Sequence, residues 1–140
     1  MKKLIFIAVA VLMLSSCVRD NFITEIVEPL TFTETFVVNQ NHWTLSTDDF
    51  GNIYFFREFT VPQLNRQVFD HGIMQAFMFY SVAGRSTLSP LPFTDFFGEW
   101  EEHFTVEFQI GRVIFILKPS DQEAILPYAD SYEFLVRFLW

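Results

Sequence analysis

The run from His103 to Lys118, HFTVEFQIGRVIFILK, constrains the fold of this chain more than any other stretch. Phe104, Val106, Phe108 and Ile110 alternate with Thr105, Glu107 and Gln109, the period of two that a strand with one buried face requires. Gly111-Arg112 then suits a two-residue hairpin turn of the II′ kind, whose first position needs positive φ. Such a turn sets Ile110 opposite Val113, Phe108 opposite Phe115 and Val106 opposite Leu117, apolar pairs throughout. Ile114 and Ile116 fall on the other face, where a sheet partner, a loop or a binding partner has to cover them.

The same short β-type runs, separated by turn residues, recur from residue 30 onward. LTFTETFVV, IYFFREF and IMQAFMFY read as strands, with Trp43-Thr44-Leu45 as a shorter one. IMQAFMFY is apolar on both faces, as a central strand would be. In SYEFLVRFLW one face carries Tyr132, Phe134, Val136, Phe138 and Trp140. One segment breaks the period: in VPQLNRQVFDHG, Leu64 and Val68 are four apart, Pro62 suits a first helical turn and Gly72 a stop. The expectation is an all-β domain over residues 30–140, an Ig-like antiparallel β-sandwich of about seven strands with one short crossing helix. Phe is nineteen of 140 residues, and each buried aromatic removes roughly 150–250 Å² from water. A small domain can be held together that way.

It has to be, because the only cysteine, Cys17, stands far outside that domain. With no second thiol the chain forms no internal disulfide and no thiolate metal cluster. Met1-Lys2-Lys3 is a positive start, Leu4 to Leu14 is an unbroken apolar run, and the small pair Ser15-Ser16 precedes the cysteine. A helix needs about 20 apolar residues to span a bilayer, so this run reads as a signal peptide over residues 1–16. Leu14-Ser15-Ser16-Cys17 resembles a bacterial lipobox. That resemblance implies a diacylglycerol-modified Cys17, cleavage just before it, and an acylated first residue. Two or three acyl chains anchor a protein stably where one does not. Residues 17–29 would then be a lipidated tether, reaching about 40 Å if extended.

Charge excludes two classes of partner. Removing residues 1–16 takes away two lysines and no acid, which leaves seven basic groups against seventeen acidic ones, a net charge of −10. Such a chain repels phosphate backbones and anionic headgroups, so neither nucleic acid nor a polybasic membrane contact is expected. The membrane is reached through the lipid instead.

From His71 to Trp140 the chain is similar to a group of small lipoproteins of Bacteroidetes-type envelopes. The likeness lies in a helical turn ending at Gly72, a strand closing at Tyr80, the LPFT of Leu91 to Thr94, a hairpin around Gly111, Asp121 at a loop start, and a terminal strand with Tyr132 and Phe134. It implies a β-rich domain on the outer membrane, without an assigned activity. In that group an acidic cluster after the cysteine looks like a surface-export signal. This chain has Val18-Arg19-Asp20-Asn21 there, so the side of the membrane stays open.

Sites are sparse. His42, His71 and His103 form no metal-ligand spacing. Glu99-Trp100-Glu101-Glu102-His103 reads as a solvated loop, with acid–base or cation chemistry the sharper alternative. STDDFGN lacks the spacing of a calcium loop and reads as a turn. Ser81, Ser86 and Ser89 lie in a Gly- and Pro-marked loop without a nucleophile elbow. Trp100 and Trp43 are each either a core plug or an exposed ring on which a sugar stacks. The expected function is a non-catalytic, lipid-anchored envelope protein acting as a structural or protein-interaction module, with no cofactor and no metal. The alternative is a glycan-binding accessory lipoprotein using Trp100 or Trp43, and a hydrolase stands third.

Overall fold

The computed structural model describes residues 30–122 and 127–140. Cys17, the expected signal peptide at 1–16 and the expected tether at 17–29 lie outside them. The chain forms β1 (Thr31–Asn39), a short 3₁₀ turn (Gln40–His42), β2 (Thr44–Thr47), β3 (Ile53–Thr60), helix α1 (Arg66–His71), β4 (Ile73–Val82), β5 (Arg85–Pro90), β6 (Phe93–Phe97), β7 (Trp100–Gln109), β8 (Arg112–Pro119) and β9 (Ser131–Leu139). These strands make two antiparallel sheets, ordered β1-β9-β4-β5 and β2-β3-β8-β7-β6. No helix among the described residues is long and apolar enough to cross a membrane.

The all-β sandwich with one short helix is what the chain builds, with nine described strands rather than about seven. The two additions are β5 and β6. The expected serine loop is part of a hairpin in which Ser81 opposes Ser86, and β6 pairs with the start of β7. β1 and β9, the first and last strands, are antiparallel neighbours in one sheet. The ABED/CFG arrangement of an immunoglobulin constant domain puts its terminal strands in different sheets.

The core lies between the sheets and is largely aromatic. Phe115 of β8 stacks on Phe134 of β9 with centroids 4.2 Å apart and planes at 15°. Phe36 of β1 packs on Phe59 of β3 at 4.8 Å. Tyr132, Phe134, Val136 and Phe138 are all buried, as their shared face predicts. β4 is central in its sheet, flanked by β9 and β5.

Two local expectations are corrected, one by long-range contacts and one by a local cap. The β7–β8 loop is Ile110-Gly111, and the register places Phe108 opposite Val113, Val106 opposite Phe115 and Phe104 opposite Leu117. That is a shift of two residues, which leaves every side chain on its expected face. Gly111, at φ 80°, donates its N–H to the carbonyl of Leu64 (2.7 Å) and accepts the N–H of Val61 (2.8 Å). The turn is therefore built around a neighbouring loop as well as its own strands. In α1 the cap is Asn65, whose side chain accepts the Val68 N–H at 3.0 Å, so Pro62 lies outside the helix. Leu64 and Val68 are fully buried. Gly72 ends the helix through close approach: a Cβ there would stand 2.5 Å from the Val68 carbonyl oxygen.

Candidate functional site

β7 carries the acidic segment that the sequence suggested was a loop. Its alternation turns Glu101 and His103 toward the outer face and sends Glu102 inward, where it is 1% exposed. Glu102 Oε1 accepts the Tyr128 N–H at 2.9 Å, and Oε2 accepts the Tyr132 hydroxyl. That hydroxyl accepts the Ala129 N–H at 3.0 Å. Burial is the main cause that holds the Glu102 carboxyl above its ordinary value, with Asp95 and Asp121 adding to it against the two hydrogen bonds. Burial likewise pushes the Tyr132 hydroxyl far up, so it remains a donor. Among the described residues neither a histidine nor a serine hydrogen-bonds Glu102. The group fastens residues 128–132 onto β7.

The other expected constellations are dispersed. His42 lies in the 3₁₀ turn, His71 in the last turn of α1, and His103 hydrogen-bonds Thr94 Oγ1 at 2.9 Å. No group of three His, Cys, Asp or Glu among the described residues could hold a metal ion. In STDDFGN, Asp48 Oδ1 accepts the Phe50 and Asn52 N–H groups and Oδ2 accepts the Asn52 amide, each at 2.9 Å. Those bonds lower its pKa and use its carboxylate to close a turn.

The two tryptophans separate. Trp43 is 7% exposed and meets Tyr132 and Phe134 edge-on, with centroids 6.0 and 6.4 Å away. A sugar cannot lie on a ring enclosed this way, so of the two readings of Trp43 the core plug is the one its burial supports. Its Nε1–H is buried without an acceptor among the described residues. Trp100 is half-buried beside the β6–β7 loop and stacks on Phe97 at 4.8 Å and 24°. Tyr128, 64% exposed, leans on both rings. One face of Trp100 is therefore taken, and the open ring of the cluster is Tyr128.

The outer face of the five-stranded sheet holds the feature that the second face of β8 anticipated. A groove of about 350 Å³ runs over Ile114 and Ile116, with Tyr54 and Phe56 of β3 along one side. The two rings are tilted at 42° with centroids 6.2 Å apart. Lys118 and Asp48 stand at one end of it, and Glu107 lines it beside Ile114, its register partner. Beyond the Ile114 end Glu58, the β3 register partner of Ile114, pairs with Arg112 at 3.0 Å. Lys118 acts on the Asp48 carboxylate beside it through charge alone. Tyr54, Phe56 and Lys118 were not singled out in the sequence, because β3 joins β8 across more than fifty residues. The only signal was the uncovered Ile114 and Ile116. Comparison with protein-family models, curated proteins and solved structures finds no match to this chain.

Proposed function

We propose that this chain is a non-catalytic, lipid-anchored protein of a bacterial outer membrane that acts as a structural or protein-interaction module. The observation that carries the interaction role is the outer groove, where apolar side chains of β3 and β8 meet solvent with Asp48, Glu107 and Lys118 beside them. Half-buried aromatic and aliphatic side chains with a polar rim have the composition of a protein contact. Support for the anchor is the Lys-Lys start, apolar run and Leu-Ser-Ser-Cys box ending at Cys17. Metabolic labelling with an alkynyl fatty acid tests it: the chain takes up label and fractionates with outer membranes, and Cys17→Ser loses both. An unlabelled, soluble wild-type chain overturns the anchored reading.

A second reading, glycan binding, is favoured by the Phe97–Trp100–Tyr128 cluster alone. The enclosed face of Trp100 weakens it, since a sugar ring needs an open aromatic face. A glycan array probed with wild type and Tyr128→Ala decides it: binding that the substitution abolishes makes this reading the better one.

A further inference from the structure

We infer that the outer groove is a two-fold contact with a second copy of this chain, an inference that rests on the interaction reading above. The groove is bipolar along the strand direction. Ile114 and Lys118 are four residues apart on β8, about 13 Å at strand rise, and Glu107 lies opposite Ile114 on β7. A two-fold axis across the strands, passing over Ile116 and its neighbour Thr105, reverses that order in the second copy. It brings Ile116 against Ile116, Lys118 over the Ile114–Glu107 end, and Glu107 within a side chain's reach of the other Lys118. A closed dimer needs this kind of self-complementary surface, in which residue i meets j and j meets i. Lys118, which has only the turn-bound Asp48 beside it in its own chain, then gains Glu107 of the second copy, and the pairing occurs twice.

Other occupants fit less well. Rings tilted at 42° to each other beside an aliphatic floor offer a sugar no flat platform. The net charge of −10 without residues 1–16 opposes association, but at physiological ionic strength such repulsion is screened beyond about 8 Å, whereas contacting pairs are screened less. The face is roughly 20 by 26 Å from strand spacing and rise. Two copies therefore bury on the order of 1,000 Å², at the low end for a specific interface. Such a dimer is weak enough for one charge reversal to break.

The test uses the full chain in its own membranes, with Thr105→Cys as reporter and a short bismaleimide as probe. The expected result is a covalent dimer for Thr105→Cys and none for Thr35→Cys, a β1 residue on the outer face of the other sheet, or for the chain without an added cysteine. In the Thr105→Cys chain, Lys118→Glu or Glu107→Lys alone reduces cross-linking about tenfold, and the two together restore it. Restoration also shows that the variants fold. Absence of a Thr105→Cys dimer overturns the inference, as does a dimer indifferent to both single reversals or a double reversal that fails to rescue. Cross-linking of Thr105→Cys to a different protein, with no dimer, removes this inference and leaves the interaction reading standing. No cross-link of any kind from this face removes both.

Discussion

Strand β8 has two apolar faces with different fates. Val113, Phe115 and Leu117 point inward and are fully buried, Phe115 against Phe134 of the opposite sheet. Ile114 and Ile116 point outward beside Lys118, and no element of the described chain crosses over them. Ile116 is nevertheless 9% exposed, because its own neighbours in the sheet, Phe56 and Thr105 in register, shelter it. Burial inside one sheet and burial between two sheets are different conditions, and hydropathy reports both alike. Only the second ties the layers together.

The comparison is broken most directly by truncating the inner face. Phe115→Ala leaves a cavity between the sheets, and large-to-small aromatic substitutions in cores cost about 3–5 kcal/mol. The urea midpoint should fall accordingly, and a loss no greater than that of an outer-face substitution would refute the asymmetry. A smaller effect is expected at the crossing between sheets. Gly72→Ala drives a Cβ against the Val68 carbonyl at 2.5 Å and the Leu139 carbonyl at 3.0 Å. Both are backbone atoms and cannot swing aside, so overpacking of about 1–3 kcal/mol is expected, read by the same urea midpoint.

These elements also separate what was legible from what was not. The inward faces of β7, β8 and β9 followed from period two alone, because burial on one side writes alternation directly. β5 escaped because RSTLSP is an edge strand, mostly exposed and ending in proline, so it carries no alternation of hydrophobicity. The hairpin register slipped by two because Gly111 is bonded to Val61 and Leu64, a tertiary fact invisible in the turn sequence. Trp43 and Trp100 had equal claims as sequence. Their fates were decided by Tyr132 and Phe134 for one and by the β6–β7 loop for the other. Glu102 looked solvated among its acidic neighbours, yet strand alternation delivered it to the interior, where Tyr132 and Tyr128 receive it.

That inward acid sharpens the comparison through pH. The folded Glu102 carboxyl titrates above its unfolded value, chiefly from burial. Its contribution is therefore fully present below the ordinary glutamate range and is lost as pH rises through the folded value. Asp95 on β6, Asp121, Tyr132 and the Tyr128 N–H are the groups around it. Glu102→Gln cannot titrate. Relative to that variant, wild-type stability should decline from pH 4 to pH 7 in chemical denaturation, and a flat difference would show that the carboxyl carries no such coupling.

The smallest effect on stability should come from the outer face itself. Ile114 is half-buried, and replacing it by Ser removes apolar area that is already partly wet. It opens no cavity, and the hydroxyl meets solvent, so no polar group is trapped. Surface substitutions of this kind stay within about 0.5 kcal/mol, several times less than Phe115→Ala one position along the same strand. If the face serves only the fold of one copy, association should be as indifferent as stability. If it is a contact, Ile114→Ser leaves the urea midpoint in place while cross-linking through Thr105→Cys falls several-fold, because the lost area lay between molecules. A variant that folds as well as wild type and no longer associates therefore separates what β8 does for the sandwich from what it does outside it.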